Sequence, residues 1–389
     1  MPKIPDFPED EYEQRYRRTW MLMRKHGLDG LLVTSESNYR YFTGHRSQFW
    51  VSNARPFYAV IVPDRPPVAL VTFTEREVFD ASSWLKDVRT WLGFADDSLP
   101  YLTDILKELG LKKARVGVDF GLEMRLGIPL TTFRKLEALS KGIKFVDGSP
   151  LLWELRLIKT PRELAYIKKA CHAANKGIRA GWRHARIGMS EREIRQHMAA
   201  KMIEAGADKV GFLPITSGPG NYERFLMDPT NRRVEKGDIV WTDVGVSVNG
   251  YWSDFNRIAA VGAASRKQRH AYKVVRELTY EVLGKIRAGV SAAQVAEENA
   301  LAHKRRGIDV PGNIPGRIGH GSGMDMTEPP SVASFDDTVL EAGMVIHIEP
   351  KMIYDYGPFQ LEEVVAVTKK GYTLLSPAAP KALPVAGRT

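Results

Sequence analysis

The chain has a single cysteine, Cys171, among 389 residues, so no intrachain disulfide can form and no thiolate zinc site can be assembled. It has no apolar stretch long enough to span a bilayer. Runs such as Tyr58–Val62 and Val68–Val71 fall far short of the ~20 residues a membrane helix needs. Met1 to Arg18 is rich in Pro, Asp, Glu and Arg and has no apolar core, so a secretory signal is not expected, whereas a soluble, cytoplasmic chain is. Runs of five or six like charges are absent too. The 56 Lys and Arg against 46 Asp and Glu give +10, and the excess follows residue 150, with 22 basic and 20 acidic residues before it and 34 and 26 after. It is scattered over helical stretches such as Arg162 to Arg195. Nucleic-acid binding needs a clustered basic stripe with stacking aromatics, so it is not expected; solvated helix faces account for the charge. What remains is an ordinary globular composition, 43% hydrophobic and 26% charged, with length for two domains.

Residues 1–150 read as alternating helices and strands. Glu9 to His26 is helical and stops at Gly27. Leu28–Thr34, Phe57–Val62, Val68–Thr72, Ala114–Asp119 and Lys144–Val146 read as strands, and Tyr101–Leu109 and Ile128–Leu139 as helices. This alternation predicts an α/β layer domain ending near Pro150. Residues 151–389 open with strong helix chemistry: Thr160 as N-cap, Pro161 at N1 and Glu163 closing a capping box. Leu164, Ile167, Cys171, Ala174, Ile178 and Trp182 follow at spacings of three and four, which buries one face and makes Cys171 an inert core thiol. Ser190 and Glu193 form a second capping box, on a helix running to Gly206. Helices over about Ser265–Ala288 and Ser291–Arg306 alternate with strands in Asp238–Val261, Val345–Pro350 and Phe359–Thr368. Two helix pairs, each followed by strands, hint at an internal pseudo-repeat, with little residue-level similarity to support it.

The chemistry concentrates in Gly237–Arg257. Asn249-Gly250 is a strong two-residue hairpin signal. A turn there sets Val248 against Tyr251 and Gly245 against Asp254, so Asp243 and Asp254 lie on one sheet face as diagonal neighbours, roughly 7–8 Å apart at the backbone. Asp is disfavoured in mid-strand, where Asp243 sits, and wants a partner. Three later residues join the candidates. His320 stands among glycines in Ile318–Gly323. Glu349 ends an alternating run in which Val345, His347 and Glu349 share a face. Glu362 lies in Phe359–Thr368, with Glu363 facing the other way. Singly each is ordinary. Together Asp243, Asp254, His320, Glu349 and Glu362 are an oxygen-rich set with one imidazole, suited to divalent Mn, Co, Fe or Zn. Such a set can bridge two ions and leave room for a water-derived nucleophile.

At these residues the chain resembles the pita-bread metallopeptidase family of methionine aminopeptidase, aminopeptidase P, prolidase and the non-peptidase creatinase. The matching motifs are Asp243-Val-Gly245, Gly250–Arg257, Gly319-His-Gly-Ser-Gly323, Ile348-Glu-Pro350 and Glu362 before Val364–Thr368, with eleven residues from Asp243 to Asp254. Upstream, Asn38–Gly44 and Arg156–Lys159 with Glu163 also fit, so the likeness covers nearly the whole chain. It implies a creatinase-like α/β N-terminal domain and an α+β pita-bread catalytic domain. The five residues would hold two divalent ions, with Glu349 as general base and His320 as a ligand in the catalytic centre. It further implies a homodimer in which the loop Thr43–Pro56 reaches the partner's active site, with His45, Trp50 and Arg55 as substrate contacts. Arg55 would grip a carboxylate through two hydrogen bonds.

The implied reaction is hydrolysis of an Xaa-Pro bond in a dipeptide or at a peptide N-terminus. The chain departs from the family where two auxiliary histidines belong: Phe225 and Leu226 stand at one position, Thr327 at the other, and Gln360 replaces an arginine. Phe225 makes the pocket more apolar, and Tyr222, Arg224, Thr327 and Gln360 become candidate substrate contacts. These departures keep a non-peptide hydrolase or lyase open, of the creatinase, ectoine hydrolase or dimethylsulfoniopropionate lyase kind. A binding module is the third class. Such modules typically lose the metal ligands, and all five are present here.

Overall fold

The computed structural model describes residues 4–308 and 316–387. The chain divides into two compact units, Met1–Arg156 and Leu157–Thr389, the seam falling in the helix Ser149–Leu157. Among the described residues no helix is long and apolar enough to cross a membrane.

The first unit is built on a six-stranded mixed sheet. Its strands are β1 (Gly30–Val33), β2 (Tyr58–Ile61), β3 (Val68–Thr72), β4 (Val88–Trp91), β5 (Arg115–Val118) and β6 (Lys144–Asp147), in the order β4-β3-β2-β1-β5-β6. Neighbours β1/β5, β5/β6 and β3/β4 are parallel; β1/β2 and β2/β3 are antiparallel. Strands β1 to β3 are buried along their whole length, which is why they read as unbroken apolar runs rather than alternating ones. Leu102, Ile105 and Leu106 of helix Leu99–Glu108 and Phe133 and Leu136 of helix Leu130–Leu139 close one core over Leu32, Val60, Leu70 and Val116. Helix Glu9–His26 ends where expected, with Gly27 in the left-handed region at φ 61°. Helices Glu36–Thr43 and Arg76–Ser82 and strand β4 are additional to the expected set. Each is too short to show a period.

In the second unit both capping boxes are formed, Thr160 with Glu163 and Ser190 with Glu193. The helices they start, Pro161–His184 and Glu191–Glu204, lie against each other. The contact is close because Gly177 and Gly181 face Met202 and Met198; a Cβ on either would come within about 2.3 Å of a methionine Cγ. Cys171 sits fully buried in this helix, where burial pushes its thiol well above the ordinary range, as an inert core position requires.

Two sheets and a ribbon follow. The first sheet contains β7 (Lys209–Phe212), β8 (Ile215–Ser217), β9 (Ile239–Val248), β10 (Tyr251–Trp252) and β11 (Phe255–Val261). The second has β12 (His320–Gly321), β13 (Glu328–Ser331), β14 (Val345–Ile348), β17 (Glu363–Val367) and β18 (Tyr372–Leu374). Strands β15 (Lys351–Tyr354) and β16 (Gly357–Gln360) make the ribbon, and β19 (Val385–Ala386) pairs with β11. The hairpin forms as read: Asn249 and Gly250 have φ of 51° and 81°, and Val248 pairs with Tyr251.

Candidate metal centre

Strand register assembles the centre. Across β9 and β11, Val244 pairs with Phe255 and Asp243 with Asn256, so Asp254 falls opposite Gly245 and diagonal to Asp243. A Cβ on Gly245 would lie 2.3 Å from Met326 Sδ, so any larger residue there would displace Met326. Across β12 and β14, Gly321 pairs with Ile346, which sets His320 opposite His347; their rings stack at 4.6 Å and 15°. Across β14 and β17, Ile348 pairs with Glu363, and across the ribbon Lys351 pairs with Gln360. Between those two pairings, the same register faces Glu349 with Glu362.

The side chains converge accordingly. Ligand atoms of Asp243, Asp254 and Glu362 lie within 4.8 Å of one another, as do those of His320, His347 and Glu362. His320 Nε2 is 3.6 Å from Asp254 Oδ2. Glu349 stands outside both clusters, yet its charge acts on Asp254, and Asp243 acts on it. Four acidic groups crowd this centre, and ionising any of them is costly. Burial pushes the Asp243 carboxyl up to about 6. Burial, and then the Asp243 charge, pushes Glu349 up to about 7. Asp254 and Glu362 rise well above the carboxylate range, by burial first and by Asp243 second. His320 is driven down to about 4 by burial and then by Arg317, so its imidazole is neutral at pH 7.

Neighbours fix these groups. His320 Nδ1 is 2.8 Å from the Gly321 carbonyl, which can only accept, so Nδ1 carries the proton and Nε2 presents its lone pair towards Asp254. Gln360 Nε2 donates to Glu349 Oε2 at 2.9 Å while its Oε1 accepts from Trp241 Nε1 at 3.2 Å. Arg257 donates to the Glu362 carbonyl and pairs with buried Glu363 at 2.9 Å. Asp254 Oδ1 is buried and has no hydrogen-bond partner among the described residues.

Of the remaining expected contacts, Tyr222, Gln360 and His45 are buried, and the others are partly or fully exposed. Tyr222 is 3% exposed in the core, its hydroxyl accepting from the Ile239 N–H, so it is a packing residue and not a polar contact. Gln360 is buried, with its Nε2 on Glu349 and its Oε1 on Trp241, so its shown role is to hold Glu349. His45 has no accessible surface in the first unit. Its ring packs on Tyr39, Phe57 and Phe79 and contacts Glu75 at 3.1 Å, which removes it as a presented substrate contact. Trp50 and Arg55 are partly exposed, the first against Phe57 and the second over Phe49. Phe225 packs edge-on to Trp241 at 4.8 Å with Lys351 Nζ 5.4 Å above its ring, while Leu226 points outward, 83% exposed. Thr327 is partly exposed just before β13, and Arg224 is exposed.

His347, Asn256, Ser322 and Arg257 are the residues that sequence reading passed over. Alternation already put His347 on the face of Glu349, and the hairpin register already put Asn256 opposite Asp243. Those were the available signals.

Residues 165–369 match the metallopeptidase family M24, and residues 15–158 match the Creatinase/Prolidase N-terminal domain. A Xaa-Pro dipeptidase of Pyrococcus horikoshii is 31% identical over 265 residues, 67% of this chain and 73% of that protein. One from Lactobacillus delbrueckii subsp. lactis is 27% identical over 354 residues, 90% of this chain and 93% of its own. A solved prolidase from Thermococcus sibiricus shares the fold with a TM-score of 0.84 at 25% identity, covering 97% of this chain and 100% of that one. The first match spans more than half of the sequence and contains every strand that carries a carboxylate or imidazole into the centre, and the chain belongs to metallopeptidase family M24 as a metallohydrolase.

Proposed function

We propose that the chain hydrolyses the Xaa-Pro bond of dipeptides at a centre where Asp243, Asp254, His320, Glu349 and Glu362 hold two divalent cations. The observation that carries the reading is the convergence of Asp243, Asp254 and Glu362 within 4.8 Å, with the neutral His320 turning Nε2 towards them. The residues fit such ions. Asp254 Oδ1 lacks a partner among the described residues, and mutually repelling acids and a neutral imidazole are the donors that divalent Mn, Co, Fe or Zn accept. Bound there, the cations would supply Lewis acidity and bring the pKa of water towards ~7.

The chain's own groups do the rest. Glu349 takes up a proton and returns it to the leaving nitrogen, its Oε2 kept in place by the Gln360 amide. Phe225, partly exposed and packed edge-on against the buried Trp241, offers an apolar face suited to a proline ring. Lys351, above Phe225, offers a cation to the free carboxylate of a dipeptide. The family resemblance supports a homodimer, with Trp50 and Arg55 as the loop residues left to reach a neighbouring site.

A second reading, a non-peptide substrate on the same centre, is favoured by one observation: Phe225, the outward Leu226 and Thr327 supply no imidazole where the family has two. The test loads the protein with Mn(II) or Co(II) and offers Xaa-Pro dipeptides, longer Xaa-Pro peptides and small carboxylated amides or amidines. Turnover of dipeptides, abolished by chelation, is expected. Turnover of a small non-peptide with none of any proline peptide would replace the first reading by the second.

A further inference from the structure

His347 is fully buried, and none of the roles above uses it. It lies in β14 two residues before Glu349, opposite Val364, so its ring projects on the face that carries Glu362. Nδ1 is 2.9 Å from Glu362 Oε1, and Nε2 is 2.7 Å from Ser322 Oγ; the Asp254 carbonyl is also within reach of the ring. The face of the ring is covered by His320. Both nitrogens are therefore engaged inside the protein, and the ring is immobilised from three sides.

The polarity of this chain of contacts follows from chemistry. A carboxylate that holds a cation is an acceptor only, so Nδ1 carries the proton towards Glu362. The Ser322 hydroxyl then donates to Nε2 and stabilises that tautomer. Among the described residues, Glu362 Oε2 receives only a long contact, 3.4 Å from Asn256 Nδ2. The imidazole thus occupies Oε1 with a well-formed bond and leaves Oε2 the weakly held oxygen.

We propose that His347, braced by Ser322, is a positioning residue that orients Glu362 for the divalent centre and raises the affinity of that centre for its ions. The inference rests on the metal-centre reading given above. It concerns how firmly the ions are held and not the identity of the substrate. Outer-shell partners of this kind are typically worth ~10–100-fold in metal affinity.

The test measures Co(II) binding by calorimetry, together with the visible absorption of the Co(II)-loaded protein and the melting temperature of the chelated protein. Four variants are compared with wild type: His347→Ala, His347→Asn, His347→Gln and Ser322→Ala. An asparagine places an N–H near the Nδ1 position and a glutamine places one near Nε2. His347→Ala and His347→Gln should weaken Co(II) binding ~10–100-fold and shift the absorption bands. His347→Asn should stay within a fewfold of wild type, and Ser322→Ala should fall between. A merely structural histidine would lower the melting temperature of the chelated protein without this ordering of affinities. Wild-type affinity and spectrum in His347→Ala, or equal weakening in the Asn and Gln variants, would overturn the inference alone. No Co(II) binding by wild type would overturn the metal-centre reading, and this inference with it. Ser322→Ala, the smallest change, keeps the question answerable if the histidine variants do not fold.

Discussion

Removing divalent cations makes the acidic cluster a pH-dependent liability, and the sign can be worked out. In the unfolded chain Asp243 titrates near 3.8 and Glu349 near 4.5; in the folded, cation-free chain burial and mutual repulsion lift them to about 6 and about 7. Between these limits the folded state binds more protons than the unfolded one, so stability falls as pH rises. The contribution is complete below about pH 4 and gone above about pH 7. Each group costs on the order of 3 kcal/mol at neutral pH, at about 1.4 kcal/mol per tenfold change in proton affinity. The two are close enough to interact, so the costs do not simply add. Three kcal/mol corresponds to roughly 6–12 °C of melting temperature for a domain of this size. A cation binds the ionised carboxylates and removes the penalty. Scanning calorimetry with chelator and with Mn(II), from pH 5 to pH 7.5, should show a gap in melting temperature that widens with pH. In Asp254→Asn, with one buried acid fewer, the chelated protein should melt higher than wild type at pH 7.5 while losing the Mn(II) response. A gap that is independent of pH, or a chelated wild type that is more stable at pH 7.5 than at pH 5, would refute the reasoning.

Three further perturbations have defined outcomes. Arg257→Ala leaves Glu363 buried without its guanidinium and should cost about 3–5 kcal/mol in denaturant unfolding. Gln360→Ala frees Glu349 while leaving it in place, so kcat should fall with little change in KM, and steady-state kinetics on Ala-Pro would separate the two. Thr160→Ala removes the cap of helix Pro161–His184 and should lower stability by about 1 kcal/mol without touching activity, as paired melting and activity measurements would reveal.

The parts of the molecule that are governed locally were legible in the sequence. The capping boxes at Thr160 and Ser190, the Asn249-Gly250 turn and the face shared by Asp243 and Asp254 each depend on a few consecutive residues, and each formed as read. The metallopeptidase family was legible from five motifs in order. What was missed depends on long-range register. His347 meets His320 through β12–β14 pairing and meets Glu362 through β14–β17 pairing, and neither pairing is written in the local pattern. Exposure was the other blind spot. His45 and Tyr222 sit in polar, turn-like sequence, yet distant aromatic and backbone partners bury both.

The hairpin joining Asp243 to Asp254 has a consequence for how this sequence can change over time. Side chains alternate between faces along a strand, so one residue added to or lost from the stretch would swing Asp254 to the opposite face. Replacement within the stretch is a milder event at Val246 and Val248, which contribute chiefly bulk, than at Tyr251, whose hydroxyl donates to Glu163. Outside Gly245, the Asn249-Gly250 turn and Tyr251, divergence can therefore rewrite the letters between the two aspartates but not their number, and copies that gain or lose a codon there should survive only where the chemistry has been abandoned.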